Sequence, residues 1–434
     1  MNEIVLNNGL KFFYKALPGT HSLSFDFFIK IGVRYESKHE NGISNLLGNL
    51  HYRYINGYNQ EQLFHKIESM GSNLQIFTYK DFMRISIKTH PNYYKECIDL
   101  LKSLFETFRW DKDIIQKEKK TILKQIEEES QYVDINKIAA KNYYGESALA
   151  SSIKGDCSTI NNLTVEQISD FKKCFFNKNG TAFFFSGPIE KFHVDYIKEI
   201  LSDVFLFDNM FRSREIIPTN FGKRPQNLFW SFYEWDYIDV DISFDITINE
   251  KEFLYLDVLN CILGEGIGSK LQIILREKLS LIFDIKSFVE KYDVFNVLHI
   301  QYSVNKNDFI IVFKTVLNVL NEMKNKISDC EIASSLPFYK ENLDFLLDEP
   351  QKYNFYYAYN TFILKHSLNI EQVVLPSDII TLAKKIFISN NIVVTCLGDD
   401  SRINKKKLQE MLFQLDEDNQ GQSGDGSVID TKNQ

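Results

Sequence analysis

The chain has 434 residues, 44% hydrophobic and 25% charged, which allows two or three domains with sizeable cores and fits a soluble globular protein. Its formal net charge is −8, and its Lys and Arg residues are spread out without a basic block, which argues against nucleic acid or an anionic membrane as the main partner. No run of about 18 apolar residues exists, so no membrane-spanning helix is expected.

The opening residues MNEIVLNNGLKFFYK lack the apolar stretch of a signal peptide and the Arg- and Ser-rich character of a mitochondrial presequence. The six cysteines, at 97, 157, 174, 261, 330 and 396, form no C-x-x-C pair and fit no zinc finger. This scatter points to a reducing compartment, and a cytoplasmic location is expected. The 36 Phe and 22 Tyr accord with an AT-rich coding bias or, alternatively, with an aromatic-lined peptide cavity.

Hydrophobic periodicity predicts strands over Glu3–Val5, Lys11–Lys15 and Ser22–Ile31, then helices over Gly42–Arg53 and Gln60–Met70. NLQIFTYKDFMRISIKTH (73–90) reads as a strand pair. Helices follow over Tyr93–Phe108 and Lys112–Glu129, then a buried strand over 179–189 and a helix over Glu190–Val204. The mixed stretch 205–225, with Pro218, Gly222 and Pro225, reads as a linker. The grammar then repeats. Strands are expected at Leu228–Phe232, Asp239–Ile248, Phe283–Val289, Val297–Val304 and 391–399. Helices are expected at Glu252–Leu263, Lys270–Lys278, Asp308–Lys326, Leu336–Leu347, Gln351–Lys365 and Ser377–Phe387. The pattern predicts an α+β fold of two homologous domains, 1–204 and 226–413, each with long helices on a mostly antiparallel sheet. The polar, Gly-rich residues 414–434 read as a disordered tail.

The segment IGVRYESKHENGISNLLGNLHYR (31–53) resembles the active-site region of the pitrilysin/insulinase family of zinc peptidases. In that family a Gly-Ser-Arg-Tyr-Glu-like turn leads into a helix carrying an inverted H-x-x-E-H. Histidines at i and i+4 share a helical face and reach one zinc ion, while the Glu beside them activates the bound water. A Glu on a later helix completes the metal site. Gly32, Arg34, Tyr35, Glu36, Gly42 and Ile43 match this frame. The chemical positions do not match. Asn45 and Asn49 stand where the histidines would be, Gly48 where the base would be, and Gln125 where the distal Glu would be. Glu118 matches a Glu upstream on that helix, while Glu127 and Glu128 read as a solvated face. Neutral amides are poor zinc ligands, and glycine accepts no proton. His39, His51, His65 and His90 do not rebuild a site, and no G-x-S-x-G, Walker loop or Rossmann glycine pattern is present.

The resemblance runs through about residue 400. IESMGSNLQIFTYKDFMRISIKTH (67–90) is similar to a family strand pair whose exposed edge takes substrate peptide as an added strand, which implies that role for Asn73, Leu74, Gln75, Ile76 and Phe77. An ordinary edge strand without a ligand is the competing reading. YLDVLNCILGEGIGSKLQIILREKLSLIFDIKSF (255–288) resembles a family segment in which an Arg and a Tyr reach the zinc site and hold the substrate carbonyl. Arg276 matches the Arg and is implied to bind substrate or to form a structural ion pair, while Phe283 replaces the Tyr and its hydroxyl.

The family's small members pair as clamshells of one zinc-bearing and one degenerate chain. The resemblance therefore implies a non-catalytic subunit of a heterodimeric zinc endopeptidase, walling half of a chamber for peptide substrate. The implied partner is a zinc-bearing H-x-x-E-H homologue, and no cofactor is expected in this chain. A non-proteolytic scaffold or peptide-binding protein is the alternative, and an active enzyme with a rewired metal site is a third reading.

Overall fold

A computed structural model describes residues 1–55, 57–106, 110–204, 206, 227–366 and 372–416. The predicted linker, except for Leu206, lies outside them, as do the last 18 residues of the expected tail and the end of the helix expected to reach Phe108.

The first half runs β1 (Asn2–Val5), β2 (Lys11–Ala16), β3 (Leu23–Ile29), α1 (Ile43–Arg53), the two-residue strands β4 (Tyr54–Ile55) and β5 (Tyr58–Asn59), and α2 (Gln60–Ser69). It continues through β6 (Asn73–Thr78), β7 (Met83–Thr89), α3 (Tyr94–Glu106), α4 (Lys112–Ser130), α5 (Ile135–Tyr144), α6 (Cys157–Asn162), α7 (Val165–Phe175), β8 (Thr181–Gly187) and α8 (Lys191–Ser202). The second half comprises β9 (Leu228–Ser231), β10 (Tyr237–Ile246), α9 (Glu252–Asn260), β11 (Ile282–Lys291), β12 (Asn296–Asn305) and α10 (Phe309–Met323). After these come α11 (Asp329–Phe345), α12 (Pro350–Ala358), α13 (Pro376–Ile386), β13 (Ile392–Leu397) and α14 (Lys405–Phe413). Helix α11 starts before the expected Leu336 because Ser328 and Glu331 form a capping box, and Pro337 sits inside it.

The two sheets have the orders β1-β2-β8-β3-β7-β6 and β11-β12-β10-β13-β9. Read from the other end, the second repeats the first without β1. Each has one parallel contact, β2 with β8 and β9 with β13, among antiparallel pairs. Strand β8 (TAFFFSG) is buried at every residue because both faces of its sheet are covered.

One face of each sheet packs on helices of its own half, giving two large hydrophobic cores, the first of them rich in phenylalanine. The opposite face is covered by a helix from the other half. Helix α12 lies on β3 and β8, and α5 lies on β10 and β13. On the first sheet, aromatic residues fill part of this layer: Phe13 stacks on Phe184 at 4.7 Å, and Phe28 meets Phe355 at 6.1 Å. A buried polar group fills the rest. Arg84 contacts Asp26 at 2.6 Å, Asn354 of α12 donates to Asp26 at 2.7 Å, and Arg84 donates to the Gln351 carbonyl at 2.8 Å. Under α5, Tyr144 donates to Glu290 at 2.7 Å, and Gln301 donates to Asn136 at 2.8 Å and to Asp241 at 2.7 Å. His299 Nδ1 lies 3.1 Å from Asp241.

A third tie joins the Arg34 guanidinium to Asp293 across the halves. Beside it, burial pushes the Asp81 carboxyl up to about 7, against the lowering field of Arg34. The unfolded chain ionises Asp81 near its ordinary value of about 4, whereas the folded chain holds the proton to about 7. The contribution of Asp81 to stability therefore falls as pH rises through that window and is constant outside it. Asp81→Asn is expected to raise stability by a few kcal/mol at pH 8 and by roughly a third of that at pH 5. Urea midpoints at the two pH values check this, and an equal effect at both would refute it.

Candidate functional site

Helix α1 is held at its start by Glu36. This buried carboxylate accepts hydrogen bonds from the Gly42 amide (2.8 Å), the Ser44 amide (2.9 Å) and Asn41 Nδ2 (3.0 Å). It satisfies donors that the first turn leaves open, and a negative charge is favoured there. Burial raises its pKa against these bonds. Gly42 has φ 91°, and a Cβ there would stand 2.7 Å from both the Lys154 carbonyl and Ile160 Cδ1. The matched Arg, Glu and Gly of the 31–43 segment thus have structural work that is separate from catalysis.

Asn45 and Asn49 lie one turn apart on α1, each half-buried. Asn45 Nδ2 is buried and has no hydrogen-bond partner among the described residues. Helix α1 packs on α4, where Gln125 is half-buried. Glu118 is buried and paired with Arg53 Nε at 2.5 Å. Glu127 and Glu128 are exposed. At Gly48 an added Cβ would stand 3.1 Å from Thr78 Oγ1, 3.3 Å from Met83 Cε and 3.5 Å from Ile76 Cγ2. The positions matched to the metal ligands and base thus hold three carboxamides and a glycine, a donor set with no anion and no imidazole that does not fit a zinc ion. Among the described residues, no group of three His, Cys, Asp or Glu side chains is placed to hold a metal.

The histidines are apart from this face. His51 is buried edge-on to Trp110 at 5.1 Å, and burial holds it neutral by lowering its pKa. His39, His65 and His90 are exposed.

Strand β6 is the outer strand of its sheet. Asn73 and Phe77 are exposed, Gln75 and Ile76 half-buried, and Leu74 buried. The Ile76 amide donates to the Tyr52 hydroxyl at 2.6 Å. The structure brings the remaining two sequence-predicted residues together elsewhere. The Arg276 guanidinium lies 5.8 Å from the centre of the Phe283 ring, and Phe283 is 86% exposed. The contact of Arg276 with Glu277 is long, 3.6 Å, with both side chains exposed, so Arg276 is not locked in a buried ion pair. It lies within a π-helical segment, Gln272–Lys278.

Sequence reasoning passed over helices α5, α6 and α7 and a cavity of about 510 Å³ beside α5, lined by Lys80, Tyr144, Phe288, Glu290 and His299. The signals for α6 and α7 were present: Asp156 and Thr164 cap these helices, and Gln167 completes the second box.

A profile of the insulinase family (peptidase family M16) matches residues 11–156, and a profile described as the M16 peptidase inactive domain matches 228–335, together more than half of the chain. An uncharacterized zinc protease of Rickettsia felis is 23% identical over 399 residues, spanning 88% of this chain and 94% of the relative. The beta subunit of the mitochondrial-processing peptidase of Saccharomyces cerevisiae is 23% identical over 172 residues, 38% of this chain and 36% of that one. The structure of a protease from Helicobacter pylori superposes with a TM-score of 0.80 at 18% identity, over 92% of this chain and 99% of that one.

Proposed function

Since this chain belongs to the M16 (insulinase) peptidase family, we propose that it is the non-catalytic subunit of a heterodimeric zinc endopeptidase. The observation that carries the reading is the α1–α4 face. The capped helix and its packing are kept, while Asn45, Gly48, Asn49 and Gln125 supply neither metal ligands nor a base. In this reading the chain holds no zinc, and its partner is an H-x-x-E-H homologue that does. One relative is itself named as the beta subunit of a processing peptidase, which accords with a multi-subunit setting.

The contribution of this chain is then binding and enclosure. Arg276 projects from the second half with an exposed guanidinium, a donor suited to a substrate carbonyl or carboxylate. Phe283 beside it offers a ring face but no hydroxyl. No helix among the described residues is long and apolar enough to cross a membrane.

A tagged chain purified from its native host is expected to bring down an H-x-x-E-H homologue, with about one zinc per pair. Arg276→Ala is expected to leave that association intact and to slow peptide cleavage by the pair on the order of 100-fold, the usual cost of losing one donor to a developing oxyanion. Recovery of other proteins without a zinc-bearing homologue would favour a scaffold.

A further inference from the structure

In the antiparallel pairing of β6 with β7, successive residues of β6 turn their amides alternately toward β7 and away from it. The Ile76 amide reaches Tyr52, so it faces away, and by the two-residue period Leu74 and Thr78 face the same way. This is the row of groups to which an added strand would bond. The Tyr52 oxygen, 2.6 Å from the Ile76 nitrogen, stands where the carbonyl of an added strand would stand. The phenol therefore occupies the lane that strand would follow.

A second contact draws the same strand onto α1. Gly48 lies one turn before Tyr52, and at Gly48 the helix has only a hydrogen to present to Ile76 and Thr78. The glycine lets β6 come close, and the tyrosine four residues on closes its free edge. The Tyr52 ring is half-buried, packs against the core of the first half and meets the exposed Phe64 edge-on at 6.4 Å.

We infer that Tyr52 is a stopper on the β6 edge: an extended peptide pairs there only after the phenol is displaced. The inference rests on the peptide-binding part of the proposed function and adds a condition to it.

Hydrogen exchange at the Ile76 amide tests the bond in the isolated full chain. Tyr52→Phe keeps the ring and removes the acceptor, and should speed exchange about tenfold, as expected for one lost hydrogen bond. Unchanged exchange would overturn the inference. Labelling tests the lane. A ten-residue extended peptide carrying a central benzophenone should label residues 73–78 several-fold more in Tyr52→Ala than in the wild type, and equal labelling would also overturn it. Circular dichroism confirms that both variants fold. Neither readout needs the catalytic partner, so failure of the heterodimer reading would appear in the co-purification and leave these results standing.

Discussion

Asp26→Ala should destabilise the protein by about 3–5 kcal/mol, among the largest losses expected from a single substitution here. Asp26 is fully buried, and it accepts from Arg84, Asn354 and, at 2.7 Å, Ser24 Oγ. Its removal leaves the Arg84 guanidinium buried, with the Gln351 carbonyl at 2.8 Å and the Ser86 hydroxyl at 3.5 Å as its remaining acceptors. Uncompensated burial of that charge, rather than loss of the pair's own attraction, sets the size of the effect. The double change Asp26→Leu with Arg84→Met removes both charges and should recover most of the loss. Urea unfolding of the three proteins measures this, and a single-variant cost below about 1 kcal/mol would show that water reaches the layer beneath α12.

Placing the missing ligands should give the chain zinc. Positions 45 and 49 share a face of α1 and position 125 lies on the packed α4, so Asn45→His, Asn49→His and Gln125→Glu together restore two imidazoles and a carboxylate. The wild type should retain less than roughly a tenth of a zinc per chain after dialysis, and the triple variant about one, with an affinity gain of several orders of magnitude. Elemental analysis and competition with a colorimetric chelator measure both. Stoichiometric zinc in the wild type would sink the non-catalytic reading. The triple variant should stay proteolytically silent, because Gly48 still supplies no base and Thr78 Oγ1 crowds the space where one would begin.

Much of this was legible in the sequence. Alternation and buried runs located the strands, because a strand such as β8 needs apolar residues on both faces. The degenerate face was legible because its residues are local: 45, 48 and 49 occupy adjacent turns of one helix. What stayed hidden depends on pairs far apart in the chain. Nothing local in Asn354 says that it will meet Asp26, and nothing in Tyr52 says that its hydroxyl will find the Ile76 amide. The aromatic content is similar: part of it fills the layer under α12, where Phe13, Phe28 and Phe184 meet a helix contributed by the other half. The period of β3 reports burial on both faces but not what does the burying.

The exchange of α5 and α12 also sets a clock on synthesis. When β8 leaves the ribosome, the first sheet is complete, yet α12 lies more than 150 residues ahead. At roughly 5–20 residues per second, the Phe-rich face and its Asp26–Arg84 pair wait on the order of ten to thirty seconds for their cover. During that interval the nascent first half carries a sticky, half-charged surface that the finished protein never shows. Its most exposed moment therefore falls in translation rather than in service.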